Sequence, residues 1–370
     1  MVLRQIQDIL ESWAPKELAW ERDNVGLQVG APDQSIRKIL IAVDVTDAVV
    51  EEARDKNIDL IISHHPLLFH PLKSVQTNER VGRLVSALTN HGIGLVAAHT
   101  NLDFTQGGVS FALAEKLQLH DIEVLHKHTT RDKKIAVFVP ASHVETVAAS
   151  MAAVGAGVIG KYDHCSFRMT GVGTFKPMKG ATPYLGSRGR VEHVEEVRLE
   201  MIVPSWKLHE ALKAMRLTHP YEEVAYDVYD LHNNDNNYGA GAIGNLKRSL
   251  RSKEFFALIK HQLRTPTLRY AGKPTRRIKR VAVCGGSGSD LLPVAIREDA
   301  DAFVTADISY HKFQENDGRL TLIDAGHFET EYPTIKKLVT YLEQQLKQQK
   351  AKVSVIASSV STNFVQYSLQ

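Results

Sequence analysis

Apolar residues in this chain fall in short dense runs separated by stretches of helical period, and that alternation predicts its architecture. Lys38-Ile39-Leu40-Ile41-Ala42-Val43-Asp44 reads as a buried strand, Asp47 to Lys56 as a helix capped by Thr46 or Asp47, and Ile58 to Ile62 as a second buried strand. Glu79 to Asn90 places Val81, Leu84, Val85 and Leu88 on one helical face and closes at His91-Gly92. Gly94 to Ala98 is the next strand, and another helix follows through Leu117. The first ten residues carry apolar side chains at positions 2, 3, 6, 9 and 10, an amphipathic helix rather than a signal peptide. Such alternation predicts an α/β fold with a mostly parallel sheet covered by helices.

The pattern changes near residue 126, at His126-Lys127-His128-Thr129-Thr130-Arg131-Asp132. From there the order is strand (Lys134 to Val139), helix (His143 to Val154), strand (Cys165 to Thr174), strand (Val194 to Val203), helix (Trp206 to Met215) and strand (Glu223 to Leu231). This βαββαβ order predicts an inserted ferredoxin-like α+β domain, with a long loop from Met178 to Gly189. The asparagine-rich His232 to Asn237 marks its end. The α/β style then returns: strands at Lys279 to Cys284, Asp301 to Thr305, Arg319 to Asp324 and Val353 to Ala357, helices at Leu291 to Arg297 and Ser309 to Gln314, and a long helix from Glu329 to Gln345. Three segments follow, 1–125, 126–237 and 238–370, the first and last forming one α/β domain.

Composition narrows the function classes. With 43% hydrophobic and 24% charged residues over 370 positions, the chain can bury a sizeable core. A net charge of +3 with no long run of like charges argues against nucleic acid as the main partner. The basic cluster from Lys273 to Arg280 reads as a solvated lead-in to a strand. No apolar run reaches 18 residues, so no membrane span is expected and a cytoplasmic location follows. Cys165 and Cys284 match no zinc-finger or redox spacing and read as small core residues of a reducing compartment.

The chemistry collects at predicted strand ends. Ser63-His64-His65-Pro66 closes one strand, with proline stopping its continuation. His99-Thr100-Asn101-Leu102-Asp103 follows another, and Gly326-His327-Phe328-Glu329-Thr330-Glu331 a third. His327 and Glu331 are four apart and share a face of a helical first turn. In parallel sheets ligands bind beyond the carboxyl ends of strands. There His64, His65, Asp103, His327 and Glu331 form a mixed nitrogen and oxygen ligand set suited to zinc, with iron or manganese as alternatives. Five ligands exceed what one catalytic zinc uses, and carboxylates bridge metal pairs, so two divalent ions per subunit are expected. His99 is a candidate proton shuttle, with Asp44 and Asp307 as further rim residues. Gly285 to Asp290 reads as a tight strand-to-helix turn, with anion binding by helix amides as the lesser option.

These motifs, with Asn24-Val25-Gly26-Leu27-Gln28-Val29-Gly30, resemble the Nif-three-like family, often labelled GTP cyclohydrolase 1 type 2 homologs. The resemblance implies that His64, His65, Asp103, His327 and Glu331 bind a dinuclear metal centre. It also implies that the inserted domain is similar to the PII and CutA fold, which His219-Pro220-Tyr221-Glu222-Glu223 supports. A homohexameric toroid with metal sites facing an internal cavity is implied as well. Three functions stand open: a metal-dependent hydrolase of a small nitrogen- or phosphorus-containing substrate, a non-catalytic metal-binding protein that senses a small-molecule ligand, and a ring that threads nucleic acid.

Overall fold

The computed structural model describes residues 1–129, 132–273 and 276–368, omitting the side chains of 128, 129 and 234–236. The chain divides into two compact units, one of residues 1–128 with 235–370 and one of 129–234. It is a mixed α/β protein with several sheets.

The first unit contains two sheets. One runs in the order Gly26–Val29, Gly94–Ala97, Leu60–Ser63, Lys38–Ala42, Ser354–Ala357. All its junctions are parallel except the first. Ile39, Leu40, Ile41, Leu60, Ile61 and Ile62 are wholly buried, as expected of strands covered on both faces. Each such side chain contributes about 1.5–3 kcal/mol by leaving water. Its far edge is supplied by the chain's last strand, where Ile356 registers with Leu40.

The other sheet runs Arg269–Ala271, Thr321–Asp324, Ala302–Ala306, Arg277–Ser287, Asn234–Arg251, Leu119–Thr129. Arg277–Ser287, Ala302–Ala306 and Thr321–Asp324 are mutually parallel. Arg269–Ala271 pairs antiparallel with Thr321–Asp324, and Asn234–Arg251 antiparallel with Arg277–Ser287. Instead of one mostly parallel sheet, the unit therefore has two, the first with one antiparallel junction and the second with two among those described. Neither Leu119–Thr129 nor Asn234–Arg251 was expected as a strand. In the former, Leu119, Val124 and Leu125 are buried while His120, Asp121, Glu123, His126 and Lys127 are exposed, a polar mixture with little local strand signal.

Helices match the apolar periodicity. Leu3–Trp13 buries Leu3, Ile6, Ile9 and Leu10. Asp47–Asp55 is capped by Thr46, whose side chain accepts from Val49 N at 3.3 Å. The expected long helix from Glu329 is divided: His327–Glu331 forms a short helix, and Pro333–Gln348 begins a new one. Proline lacks the N–H that would continue the first ladder, yet its fixed φ suits a helix start.

The second unit is a four-stranded sheet in the order Phe167–Phe175, Glu192–Pro204, Asp132–Pro140, Tyr226–Asp230, antiparallel throughout. Val144–Ala153 and Leu208–Thr218 are its helices, and Val147, Met151, Ala211 and Met215 pack with Ile135, Val137, Leu199 and Met201 in one core.

No helix among the described residues is long and apolar enough to cross a membrane. Both cysteines are free and half-buried; burial and the Asp103 charge push the Cys284 thiol up to about 12. Two cations of the basic cluster are tied to carbonyl groups of their own unit, Lys279 Nζ to Leu246 O at 2.6 Å and Arg280 Nε to Glu298 O at 2.8 Å. Residues 274 and 275 of that cluster lie outside the described residues.

Candidate metal centre

The first unit brings the three histidine motifs together at strand ends. His64 and His65 leave Leu60–Ser63 with their amides still bonded to Ala42 O (3.1 Å) and Val43 O (2.9 Å). Ala98 N bonds to Ser63 O at 2.9 Å and aligns the next strand, beyond which lie His99 and the short helix Thr100–Asp103. From the second sheet, Thr321–Asp324 leads through Gly326 to His327 and Glu331. Gly326 has φ +93°, a conformation open chiefly to glycine, so the chain turns sharply there.

Every one of the four histidines is anchored through Nδ1. His64 Nδ1 donates to Ala98 O at 2.8 Å, an acceptor that fixes the tautomer. His65 Nδ1 is 2.8 Å from Asp44 Oδ1, His99 Nδ1 is 2.9 Å from Asp23 Oδ1, and His327 Nδ1 is 2.6 Å from Asp307 Oδ2. Each ring therefore has its Nε2 free to bind something else. This is how metal-ligating imidazoles are held.

The free atoms converge with two carboxylates. His64 Nε2 lies 3.6 Å from Asp103 Oδ1 and 3.6 Å from Glu331 Oε1. His65 Nε2 is 3.0 Å from Glu331 Oε2, and His327 Nε2 is 3.1 Å from Glu331 Oε1. His64 Nε2, Asp103 Oδ1 and Glu331 Oε2 are enclosed without an aligned hydrogen bond. Two groups could each hold a metal ion, with ligand atoms within 4.8 Å of one another: His64 with His65 and His99, and His65 with His327 and Glu331. Ligands about 2.0–2.1 Å from a tetrahedral zinc stand about 3.3 Å from one another. The observed separations bracket that value, so the residues fit a metal.

The electrostatics agree. Burial opposes charge on His65, yet Asp44 and Glu331 lift its pKa to about 10; His327, against the same opposition, is lifted to about 9 by Glu331 and Asp307. Burial works against Glu331 too, but the surrounding His64, His327 and His65 hold its carboxyl well below the usual range. Burial and the Glu331 charge push Asp103 up, against the pull of His64. A cation is what this arrangement is short of.

A family model for Duf34/NIF3 (NGG1p interacting factor 3) matches residues 1–364. The chain belongs to this family. It is 40% identical over 363 residues to a GTP cyclohydrolase 1 type 2 homolog of Halalkalibacterium halodurans, covering 96% of each chain. A Bacillus subtilis protein of the same description is 39% identical over 363 residues, covering 97% of each. The crystal structure of a Bacillus cereus protein related to NIF3 superposes with a TM-score of 0.88 at 38% identity, covering 100% of this chain and 99% of that one.

Several members of this NIF3-family centre carry roles that periodicity did not reveal. Asp44 and Asp307, expected on the rim, stand behind His65 and His327 as Nδ1 acceptors. Asp23 was not singled out at all, although it directly precedes the Asn24 to Gly30 motif. It holds His99 and also accepts from Thr100 N at 3.1 Å. Gly285 to Asp290 supports the centre: Gly286 N donates to Thr330 Oγ1 at 3.0 Å, and a Cβ on Gly286 would lie 2.2 Å from Glu331 Oε1. The glycine there admits a carboxylate from the neighbouring helix.

Proposed function

We propose that this chain is a dinuclear metal-dependent hydrolase of a small nitrogen- or phosphorus-containing substrate. His64, His65, Asp103, His327 and Glu331 are the ligands, and zinc is the preferred metal, with iron or manganese as alternatives. The observation that carries the reading is the set of Nδ1-anchored histidines aiming Nε2 atoms at two carboxylates. Two such ions, when bound, acidify a water and polarise an electrophile.

The chain's own residues supply the rest. Glu331, with an oxygen toward each of His65 and His327, would hold metal together with those two rings. Asp44 and Asp307 keep His65 and His327 in the tautomer that presents Nε2. His99, half-exposed at the edge of the cluster and held by Asp23, takes the proton released when water attacks. The description shared by the relatives would make the substrate GTP, with water adding at C8 of guanine and the imidazole ring opening.

In the same reading the middle unit is an inserted ferredoxin-like domain, supported by its strand order and all-antiparallel pairing, and the working assembly is a homohexamer. Metal content per chain is measured for wild type and Glu331→Ala, with hydrolysis of nucleotides and phosphoesters assayed on the same samples. About two metals per chain, lost together with turnover in the variant, is the expected result. Metal retained without turnover on any compound would replace catalysis by metal-dependent sensing.

A further inference from the structure

A cavity of about 710 Å³ lies within the middle unit, walled by the end of the strand Phe167–Phe175, the loop beyond it and Tyr221, Glu222 and Glu223 of the His219-Pro220-Tyr221-Glu222-Glu223 motif. Nothing in the metal reading uses it. Its interior is aromatic on several sides: Phe138, Phe175, Tyr184 and Tyr221 line it, with Pro177 and Met178 from the loop. The rings are splayed, Tyr221 lying 6.1 Å from Phe175 at 56° and 6.1 Å from Tyr184 at 46°, so none covers another's face.

At its base sits one carboxylate. Glu196 is 8% exposed, on the strand Glu192–Pro204, paired across from Gly171. Its head lies over Gly173, where a Cβ would stand 2.1 Å from Oε2. The basic residues of the same sheet are engaged elsewhere, Arg198 with Glu200 at 2.9 Å and Arg168 with Glu145. Tyr221 Oη, also enclosed, faces this carboxylate: burial, hydrogen bonding with Glu196 and the Glu196 charge raise its pKa. A buried carboxylate with a single hydroxyl beside it keeps acceptor capacity unfilled, and that is costly unless something supplies further donors.

The walls are built to hold their shape. His219 Nε2 donates to Phe138 O at 2.9 Å while Nδ1 accepts from Tyr221 N at 3.1 Å, which fixes a neutral imidazole behind Tyr221. The loop is tied internally by Gly189 N to Pro177 O (2.9 Å) and Arg188 Nε to Ala181 O (2.8 Å), and to the motif by Thr182 N to Glu222 Oε1 (2.7 Å). At the mouth Lys176 and Lys179 are balanced by Glu222 and Glu223, so the buried Glu196 decides the charge preference.

We propose that this cavity binds a planar aromatic compound with two adjacent N–H groups, in a ring edge or an amidine, that donate to the Glu196 carboxylate while the aromatic side chains cover its faces. Two carboxylate oxygens match two neighbouring N–H donors, as in a guanine-type edge or an amidine. Inorganic anions are excluded by the same charge. The site is independent of the metal centre, and its test separates the two.

Binding to the full-length protein is measured by isothermal titration calorimetry with guanosine, benzamidine, 1-methylguanosine and cyclohexylamine. Guanosine or benzamidine is expected to bind, and 1-methylguanosine and the non-planar cyclohexylamine to bind more weakly. Glu196→Gln is expected to weaken binding about tenfold or more. Gly173→Ala, which displaces the carboxylate while keeping it, should act in the same direction, and circular dichroism checks that both variants fold. Glu331→Ala should leave this binding unchanged. Failure of both planar probes to bind at millimolar concentration would overturn the proposal, as would binding insensitive to Glu196→Gln or lost in Glu331→Ala.

Discussion

His65 and His327 lie 262 residues apart in the chain and point their Nε2 atoms at each other across 3.3 Å. Both Nδ1 atoms are committed to carboxylates, so without an ion or an added proton the two facing nitrogens would present lone pairs to one another. A shared cation turns that repulsion into attraction, and the carboxylates behind the rings strengthen it by raising the basicity of Nε2.

Asp307 tests this cleanly. It is half-exposed by its side chain and has φ +53°, a left-handed conformation that asparagine adopts readily. Asp307→Asn should fold normally and weaken metal binding about tenfold or more, because the charge behind His327 is gone. Competition with a chromogenic chelator measures it. Unchanged affinity would mean that Asp307 only braces the ring.

Gly286 gives a steric test. Its φ is +60°, and a Cβ would lie 2.2 Å from Glu331 Oε1 and 3.3 Å from His327 Cε1. Gly286→Ala should therefore lower metal per chain toward the level of Glu331→Ala with the circular dichroism spectrum preserved. Gly160 is the control, since it has φ +59° and nothing within 4 Å. Gly160→Ala carries the same backbone cost, about 1–2 kcal/mol, and should retain metal. Equal loss in both variants would assign the effect to backbone strain.

How much was legible in the sequence follows from which forces act locally. The runs Ile39 to Ile41 and Leu60 to Ile62 announce buried strands because burial on both faces demands unbroken apolar residues. His64, His65 and Asp103 could be placed at one rim because parallel strands end on one side of a sheet, whereas His327 and Glu331 reach them from the end of a strand in the other sheet, which that rule does not cover. Division into two sheets was not legible, since it depends on strand pairing across distant segments, such as Ser354–Ala357 beside Lys38–Ala42. Nor was the pairing of Asp23 with His99, 76 residues apart, because one aspartate in a turn-rich passage has no periodic signature. The break before Pro333 was readable from proline itself and was missed because Leu338 and Leu342 extend the helical period past it.

Glu52 ties the C-terminal segment to the helix Asp47–Asp55 within the first unit. Oε1 accepts from Lys56 Nζ at 2.6 Å and Ser359 N at 2.9 Å, and Oε2 accepts from Ser358 Oγ. Burial works against its charge, yet these donors hold its pKa down to about 2, from an ordinary 4.5. A depressed pKa gives stability that is fully present above the ordinary value and lost as pH falls through the folded one. Glu52→Gln should cost about 2 kcal/mol at pH 7, and the gap should shrink between about pH 4.5 and pH 2. Urea unfolding of both proteins at pH 7 and pH 3.5 measures this. A gap that stayed constant with pH would show that the loss is one of packing and not of charge.

The role of His99 can be separated from that of a ligand. Burial opposes ionisation of Asp23, but bonds from His99 and Thr100 hold its pKa to about 2, so it stays charged at all working pH values and keeps the proton on His99 Nδ1. His99 Nε2 is then a ready acceptor, and its side chain is 19% exposed, between the 1% of His64 and the 36% of His327. A group that exchanges protons with solvent needs such access, so exposure permits the role but does not by itself separate it from that of a ligand. His99→Gln should keep the metal content of wild type and lower turnover on an active panel compound by about a hundredfold or more. Asp23→Asn, which frees the ring to change tautomer, should lower turnover less and shift its pH profile. Metal analysis on the same samples makes the distinction: loss of one ion in His99→Gln would move His99 into the coordination sphere, beside His64 and His65.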